Sequence, residues 1–472
     1  MKDARTAVAA RVAKLTGEAT QRRPSYGTID ATPAILLPET IAIGGGRCSS
    51  VETAHFSPQK PPEAGRDPIA ALQLVGYHPG MFSRRADWSI APNRMTVAVK
   101  ARRARGDDIL DLTESNPTTA GLPYPLDALE DILGRHARAH YYPAPLGLMS
   151  ARAAVARHLS RPSYEVEAAD IVLTASTSEA YSFLFKLLTD SGDAVAIATP
   201  GYPLLEHIAA LEHVQLRRFP LRFDRRWELD PSDLAAAADG LTRAIAVVHP
   251  NNPTGSYLTE VEQRELSAIA LRIGATVISD EVFYDYRLAA IDAAPPMACR
   301  GEVLSFSLGG LSKSAGLPHL KLGWILAGGP PQSRRLAVDA LEMIADNFLS
   351  VSTPVQEALP EILAIAPSIH AAIQQRLEAN LSALRERVRG VPALQLLPVE
   401  GGWSAVIRAP RTQSDEELAL ELLDTSGVLV QPGYFFDFDG DGYFVVSLLT
   451  RPAIFEEGVR RIVALMAERF ET

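Results

Sequence analysis

Four apolar runs constrain this chain more than any other feature: Ile171-Val172-Leu173-Thr174, Ala194-Val195-Ala196-Ile197-Ala198, Ala244-Ile245-Ala246-Val247-Val248 and Ala275-Thr276-Val277-Ile278-Ser279. A short run that is apolar at every position, not at every second one, suits a strand covered on both faces, as in a parallel sheet. Parallel strands need crossovers, and from about Leu126 to Ala345 apolar runs alternate with stretches of helical character. That pattern predicts a mainly parallel α/β sheet flanked by helices. Ligands of such sheets sit at the carboxyl ends of the strands, so the residues just after each run are the ones to read for chemistry.

After the first run comes Ala175-Ser176-Thr177-Ser178-Glu179-Ala180, opening the helix Tyr181 to Leu188. Free amides and the dipole of a helix start suit a phosphate, and the hydroxyls of Thr177 and Ser178 add donors. The same residues also fit an ordinary N-cap. After the second run, Tyr202 in Pro200-Gly201-Tyr202-Pro203 can stack on an aromatic ring or simply pack. The third run ends in Asn251-Asn252-Pro253-Thr254-Gly255, good turn chemistry in itself. There an Asn252 amide is placed to donate to a phenolic oxygen. Asp280 closes the fourth run, where a carboxylate can keep a pyridinium nitrogen protonated. Further on, Lys313 lies among small residues in Ser307-Leu308-Gly309-Gly310-Leu311-Ser312-Lys313-Ser314-Ala315-Gly316. A lysine whose surroundings lower its pKa serves as the nucleophile in Schiff bases with aldehydes such as pyridoxal phosphate.

In this order, the Ser/Thr-Glu-Ala helix start, Pro-Gly-Tyr, Asn-Asn-Pro-Thr-Gly, Asp-Glu-Val, Ser-Lys and Leu322-Gly323-Trp324 resemble the fold-type I, class I/II aminotransferases that use pyridoxal 5'-phosphate. The resemblance runs from about Met81 to the C-terminus and includes Leu112-Thr113-Glu114-Ser115-Asn116-Pro117-Thr118. It implies a large domain over 126–349 with a mainly parallel seven-stranded sheet, and a smaller α+β domain from 81–125 and 350–472, with the site in the cleft between them. It implies an amino group moving from an amino acid to a 2-oxo acid through a Lys313 aldimine. By the same resemblance Asp280 pairs with the pyridine nitrogen, Asn252 bonds the phenolic oxygen and Tyr202 stacks on the ring. Thr177, Ser178 and Ser312 hold the phosphate, with Tyr142 reaching across from the partner of a homodimer. Ser115 and Asn116 fall on the substrate side. A C–S lyase or other β-eliminating enzyme of the same fold is the alternative.

Three positions depart from the family's pattern. Phe283 stands where a tyrosine is usual, and a phenyl ring cannot donate to the cofactor's oxygen, so the Lys313 linkage is expected to keep its proton to higher pH. Lys321 stands at the usual phosphate arginine, binding as a point charge without the bidentate fork. Val445 stands where an arginine grips the substrate carboxylate, and the nearest arginine is Arg451.

Composition sets outer bounds. A net charge of −10 argues against a general nucleic-acid binder. Residues 1–80, with Gly44-Gly45-Gly46 and Pro61-Pro62, do not read as a DNA-binding module. They read instead as an extension without a defined fold, translation starting at Met81, with a short basic helix conceivable over Met1–Lys14. No apolar stretch approaches the ~18 residues of a membrane helix. Two cysteines, Cys48 and Cys299, are too few for a disulfide framework and fit a reducing cytoplasm. Asp437-Phe438-Asp439-Gly440-Asp441-Gly442 looks like half a calcium loop, but Leu448 falls where such a loop needs glutamate, so no metal is expected.

Overall fold

The computed structural model describes residues 92–470, together with Ser83 and Arg85. The expected extension over 1–80, its basic helix, the start at Met81 and Cys48 lie outside the described residues.

The chain forms β1 (Leu110–Asp111), β2 (Ile171–Thr174), β3 (Ala194–Thr199), β4 (Gln215–Phe223), β5 (Trp227–Leu229), β6 (Thr242–Val248), β7 (Thr276–Asp280), β8 (Ser305–Gly310) and β9 (Gly323–Gly328). There follow β10 (Gln395–Leu396), β11 (Ser404–Arg408), β12 (Val428–Leu429), β13 (Gln431–Pro432) and β14 (Tyr443–Ser447). Strands β2 to β9 make one sheet in the order β2-β9-β8-β7-β6-β3-β4-β5. The neighbours from β8 to β4 pair in parallel, while β9 runs antiparallel to both β8 and β2. The expected seven strands are present. An eighth, β5, extends the edge as an antiparallel partner of β4 after the tight turn at Asp224–Arg226.

Both faces of this sheet are covered, as the all-apolar runs require. Val195, Ala244, Ala246 and Ile278 point into a core shared with Phe183, Leu184 and Phe185 of the helix Thr177–Leu188. Ala196, Ile245, Val247 and Val277 point the other way, onto Leu266 and Ile269 of the helix Glu260–Ile273. A fully buried side chain such as Ile278 contributes roughly 1.5–3 kcal/mol of transfer free energy. One polar substitution inside a run therefore damages a core layer directly.

A second sheet, β10-β11-β14-β13, is wholly antiparallel. The N-terminal β1 pairs with β12, Leu110 opposite Val428. The helix Arg94–Arg105 starts on Asn93, whose side chain accepts from Thr96 N, and Asp415–Ser426 starts on a capping box made by Ser414 and Glu417. The long helix Thr353–Val388 begins well before the expected Ile369 and passes through Pro360 and Pro367. Each proline removes one backbone donor. The buried stripe Leu359, Ile362, Ala366, Ile369, Ile373 and Leu377 keeps the helical period across both, and its burial outweighs the lost bonds.

Candidate functional site

Because β2, β3, β6, β7 and β8 all point the same way, the residues following them emerge along one edge of the large sheet. A cavity of about 410 Å³ opens there, lined by Thr177, Ser178, Tyr202, Asn252, Asp280, Ser312, Lys313 and Lys321. Eight residues singled out in the sequence, spread over five strand ends, thus share one space. The second sheet adds a wall of Trp403, Ser404, Gln431 and Ser447.

Lys313 sits in a single helical turn, Leu311–Ser314, directly after β8. Close backbone approach makes this placement possible. Gly310 faces Gly323 across β8 and β9, and a Cβ on Gly323 would meet Gly309 O at 3.1 Å and the Ser176 carbonyl carbon at 3.2 Å. The amine lies over two rings, 5.1 Å from the centroid of Trp403 and 5.7 Å from that of Phe283. Burial lowers its pKa, and the Asp280 carboxylate opposes that shift. Tyr286 donates to Lys313 O at 2.6 Å and Tyr124 to Gly316 O at 2.7 Å, pinning the lysine turn from two sides.

Burial pushes the Asp280 carboxyl up to about 6, against the pull of Val282 N at 3.2 Å, of the Tyr181 hydroxyl and of the Lys313 amine. Glu281 points to the opposite face, as strand alternation demands. It is also raised by burial, to about 7, and accepts from Ser307 Oγ and Met297 N, both at 2.8 Å. Only Asp280 of the two lines the large cavity.

At the helix start, Ser176 is the N-cap and accepts from Glu179 N at 3.1 Å, while Glu179 folds back onto Ala175 N at 2.6 Å. Ser176 therefore caps the helix, as the N-cap reading expects, while Thr177 and Ser178 line the cavity. Neither of the latter hydroxyls, nor that of Ser312, is engaged with another described residue. Asn251 fixes the neighbouring loops by donating to Pro200 O at 3.0 Å and Thr254 Oγ1 at 2.9 Å. Asn252 Oδ1 accepts from Ser404 Oγ at 3.3 Å, linking the β6 end to the second sheet.

The remaining residues singled out in the sequence divide. Ser115 lines the cavity. Asn116 does not; its Oδ1 accepts from Thr118 N at 3.1 Å within its own turn. Arg451 is exposed and spends a donor on Thr119 O at 3.1 Å, away from the cavity. Tyr142 is 70% exposed, beside a separate small cavity near Gly147. Neither Tyr284, which donates to Ala294 O at 3.0 Å, nor Tyr286 supplies a hydroxyl to the cavity in place of the one Phe283 lacks. Asp437 bonds Arg218 Nε at 3.1 Å, and the described residues contain no group of three or more His, Cys, Asp or Glu arranged for a metal.

Sequence reasoning missed Tyr181, Trp403 and Arg218. Tyr181 lies one helical turn beyond Thr177, a spacing that puts it on the same face and was open to detection. Trp403 follows Gly401-Gly402, a weak signal. Arg218 stands in mid-strand with nothing nearby in the sequence to single it out.

Known proteins were compared with this arrangement. The chain is 36% identical over 245 residues to nicotianamine aminotransferase 1 of Oryza sativa, spanning 50% of this chain but 48% of that protein. It thus matches about half the length of this relative. Against glutamate–pyruvate aminotransferase AlaA of Haemophilus influenzae the identity is 25% over 378 residues, 77% of this chain and 92% of that one. Its fold superimposes on an alanine aminotransferase from Pyrococcus furiosus with a TM-score of 0.76 at 23% identity, covering 82% of this chain and all of the other. The sequence pattern of the family described as aminotransferase class I and II matches residues 107–462, from before β1 into the last helix, and this chain belongs to that family.

Proposed function

We propose that this chain is a pyridoxal-phosphate-dependent aminotransferase, passing an amino group from an amino acid to a 2-oxo acid. The observation that carries the reading is the meeting of Lys313, Asp280, Asn252 and three unengaged hydroxyls in one cavity at the carboxyl ends of parallel strands. The residues fit the cofactor. Asp280 is a buried carboxylate with no full cation beside it except Lys313, the environment a pyridinium would complete. Thr177, Ser178 and the amides of the helix start suit a phosphate, with Ser312 and the positive charge of Lys321 alongside.

When bound, pyridoxal phosphate supplies an aldehyde that captures the amine and a ring that accepts the electron pair released at the substrate carbon. Asp280 would hold the proton on the ring nitrogen, its carboxylate oriented by the Tyr181 hydroxyl. Lys313, desolvated against Phe283 and Trp403, would take the proton from the substrate Cα and return it to the carbon of the former aldehyde, across the intervening nitrogen. Asn252 would donate to the phenolic oxygen and Tyr202 would stack on the ring. Phe283 contributes shape without a hydrogen bond.

Residues 126–349 act as the cofactor-holding domain, with 81–125 and 350–472 as the smaller one. A homodimer is supported by exposed apolar side chains on segments next to Tyr142: Tyr141 at 70%, Met149 at 60%, Met343 at 68% and Phe348 at 50%. Dimerisation would cover them and bring Tyr142 to the partner's phosphate. No described helix is long and apolar enough to cross a membrane, and the cytoplasmic reading rests on the scarcity of cysteine.

The test is an absorption spectrum across pH with added pyridoxal phosphate, on the wild type and on Lys313→Ala. A near-visible band that requires Lys313 and gives way to the amine form of the cofactor with amino acids supports the reading. No band in the wild type overturns the cofactor assignment. A band with release of ammonia and pyruvate from amino acids assigns β-elimination instead.

A further inference from the structure

An amino acid and its 2-oxo acid both bring a carboxylate, and the cavity wall from the second sheet has no free cation to meet it. Among the described residues lining the cavity the cations are Lys313, Lys321 and Arg218. The proposed cofactor takes the first two. Arg218 is already met by two carboxylates, Glu206 and Asp437, each at 3.1 Å. Arg451 is turned to Thr119 O, and Val445 is 1% exposed in an apolar cluster with Trp227, Leu397, Val406 and Phe436. A carboxylate only accepts hydrogen bonds, and stripping its water without replacement is costly. On this wall the replacement has to come from neutral donors.

Most of those donors are spent. Thr113 Oγ1 donates to Asp111 Oδ1 at 2.6 Å, Ser404 Oγ to Asn252 Oδ1 at 3.3 Å and Ser447 Oγ to Glu114 O at 2.5 Å. Trp403 Nε1 has no partner among the described residues, but the nitrogen is itself buried. Two donors remain, the amide of half-buried Gln431 and the hydroxyl of Ser115, neither engaged with another described residue.

Ser447 relates the two. Gln431 on β13 stands directly opposite Val445 on β14 and shares its face of the sheet. Ser447, two residues further along β14, is on that face as well, a diagonal neighbour of Gln431 at roughly 7–8 Å. The Ser447 hydroxyl in turn holds the Glu114 carbonyl, next in the chain to Ser115. An amide and a hydroxyl are thus set around one strand end, beside a valine that offers nothing to a charge.

We propose that Gln431 and Ser115 hold the carboxylate of the amino-acid and 2-oxo-acid substrates, a neutral clamp in which Gln431 does what a cation at Val445 would do. This rests on the aminotransferase reading and names the residues that orient its substrates. Each bond ends on a full negative charge, which makes it stronger than a bond between neutral partners.

The test uses protein loaded with pyridoxal phosphate, as wild type, Gln431→Leu, Ser115→Ala and Arg451→Ala. Common L-amino acids are titrated against the Lys313-dependent band, giving a half-saturation concentration and a limiting rate for each that perturbs it. Each such amino acid is paired with the amine that lacks its carboxylate, such as 3-methylbutylamine for L-leucine. Thermal stabilisation by 4-methylpentanoate gives an affinity free of turnover. Gln431→Leu, close in shape but without donors, is expected to raise half-saturation by amino acids about ten- to a hundredfold, the loss of a hydrogen bond to a charged group. The limiting rate should stay within about threefold, as for lost binding common to ground and transition states. The paired amines should be unaffected, and 4-methylpentanoate should lose its stabilising effect. Ser115→Ala, on an exposed segment, should cost amino acids about tenfold and keeps the proposal testable if Gln431→Leu does not fold. Arg451→Ala should leave every affinity as in the wild type. Unchanged amino-acid affinity in both clamp variants overturns the proposal, as does equal weakening of acids and amines, or a loss of about tenfold in Arg451→Ala. A wild-type band that no amino acid perturbs also overturns it while the cofactor reading stands, whereas absence of the band removes that reading first.

Discussion

Two walls of one cavity behave differently as pieces of sequence. The floor, built from the ends of the parallel strands, keeps every residue expected of it apart from Phe283 and Lys321. The side contributed by the antiparallel sheet and the segment before it departs at Val445, leaves Asn116 and Arg451 outside, and substitutes Trp403, Ser404 and Ser447. On the proposed reading the floor bonds a single molecule of fixed shape, which leaves its residue types and spacing little latitude. The side wall meets whatever the substrate brings, and its chemistry is free to change while the strands beneath keep their packing.

The comparison is sharpened by variants that strike one wall alone. The largest expected effect is on the floor: Lys313→Ala should remove the absorption band and lower turnover by at least ~10²–10⁴-fold, the range of a lost general acid–base, checked by stopped-flow spectroscopy. A retained band would break the assignment. Next is Asp280→Asn, expected to lower kcat by about 10²–10³-fold through lost electrostatic support for the ring nitrogen. On the side wall, Val445→Arg should cost about 3–5 kcal/mol of folding stability, because a lone guanidinium would lie in an apolar cluster, read from denaturant melts. A stable Val445→Arg would mean that this cluster opens more readily than its packing indicates.

A pH test separates the buried charge from its catalytic use. Asp280 titrates near 6 in the folded chain, above the ordinary carboxylate range, so the folded state binds its proton more tightly than the unfolded state does. The stability this provides is complete at low pH and is lost as pH rises through about 6. In cofactor-free protein, Asp280→Asn should therefore gain on the wild type between about pH 4 and 6, reaching roughly 3 kcal/mol. Melting curves at pH 4 and pH 8 check it; equal differences at both would contradict the buried, upshifted carboxyl. The smallest effect expected is from Tyr286→Phe, which removes one hydrogen bond to Lys313 O and should cost about 1 kcal/mol. Because that bond braces the lysine turn, the variant should also broaden the band; a change in stability with an unaltered band would limit Tyr286 to packing.

Local order alone determined the parallel sheet and the strand ends, and with the resemblance to aminotransferases it singled out Lys313, Asp280, Asn252 and the Thr177–Ser178 turn. Runs buried on both faces, alternating with helical stretches, suit a covered parallel sheet, and such a sheet presents its chemistry where its strands stop. What only the tertiary structure decided depends on which distant segments meet. Tyr124 reaches the lysine turn across 192 residues of sequence and Tyr286 across 27, and Arg218 finds Asp437 across 219. Thr353–Val388 stays helical through two prolines because a buried stripe holds it. Ser404 and Ser447 stand opposite each other because β11 and β14 pair in this register. Apart from that stripe, these contacts have neither a period nor a spacing. They follow from packing, which is set by the whole chain at once.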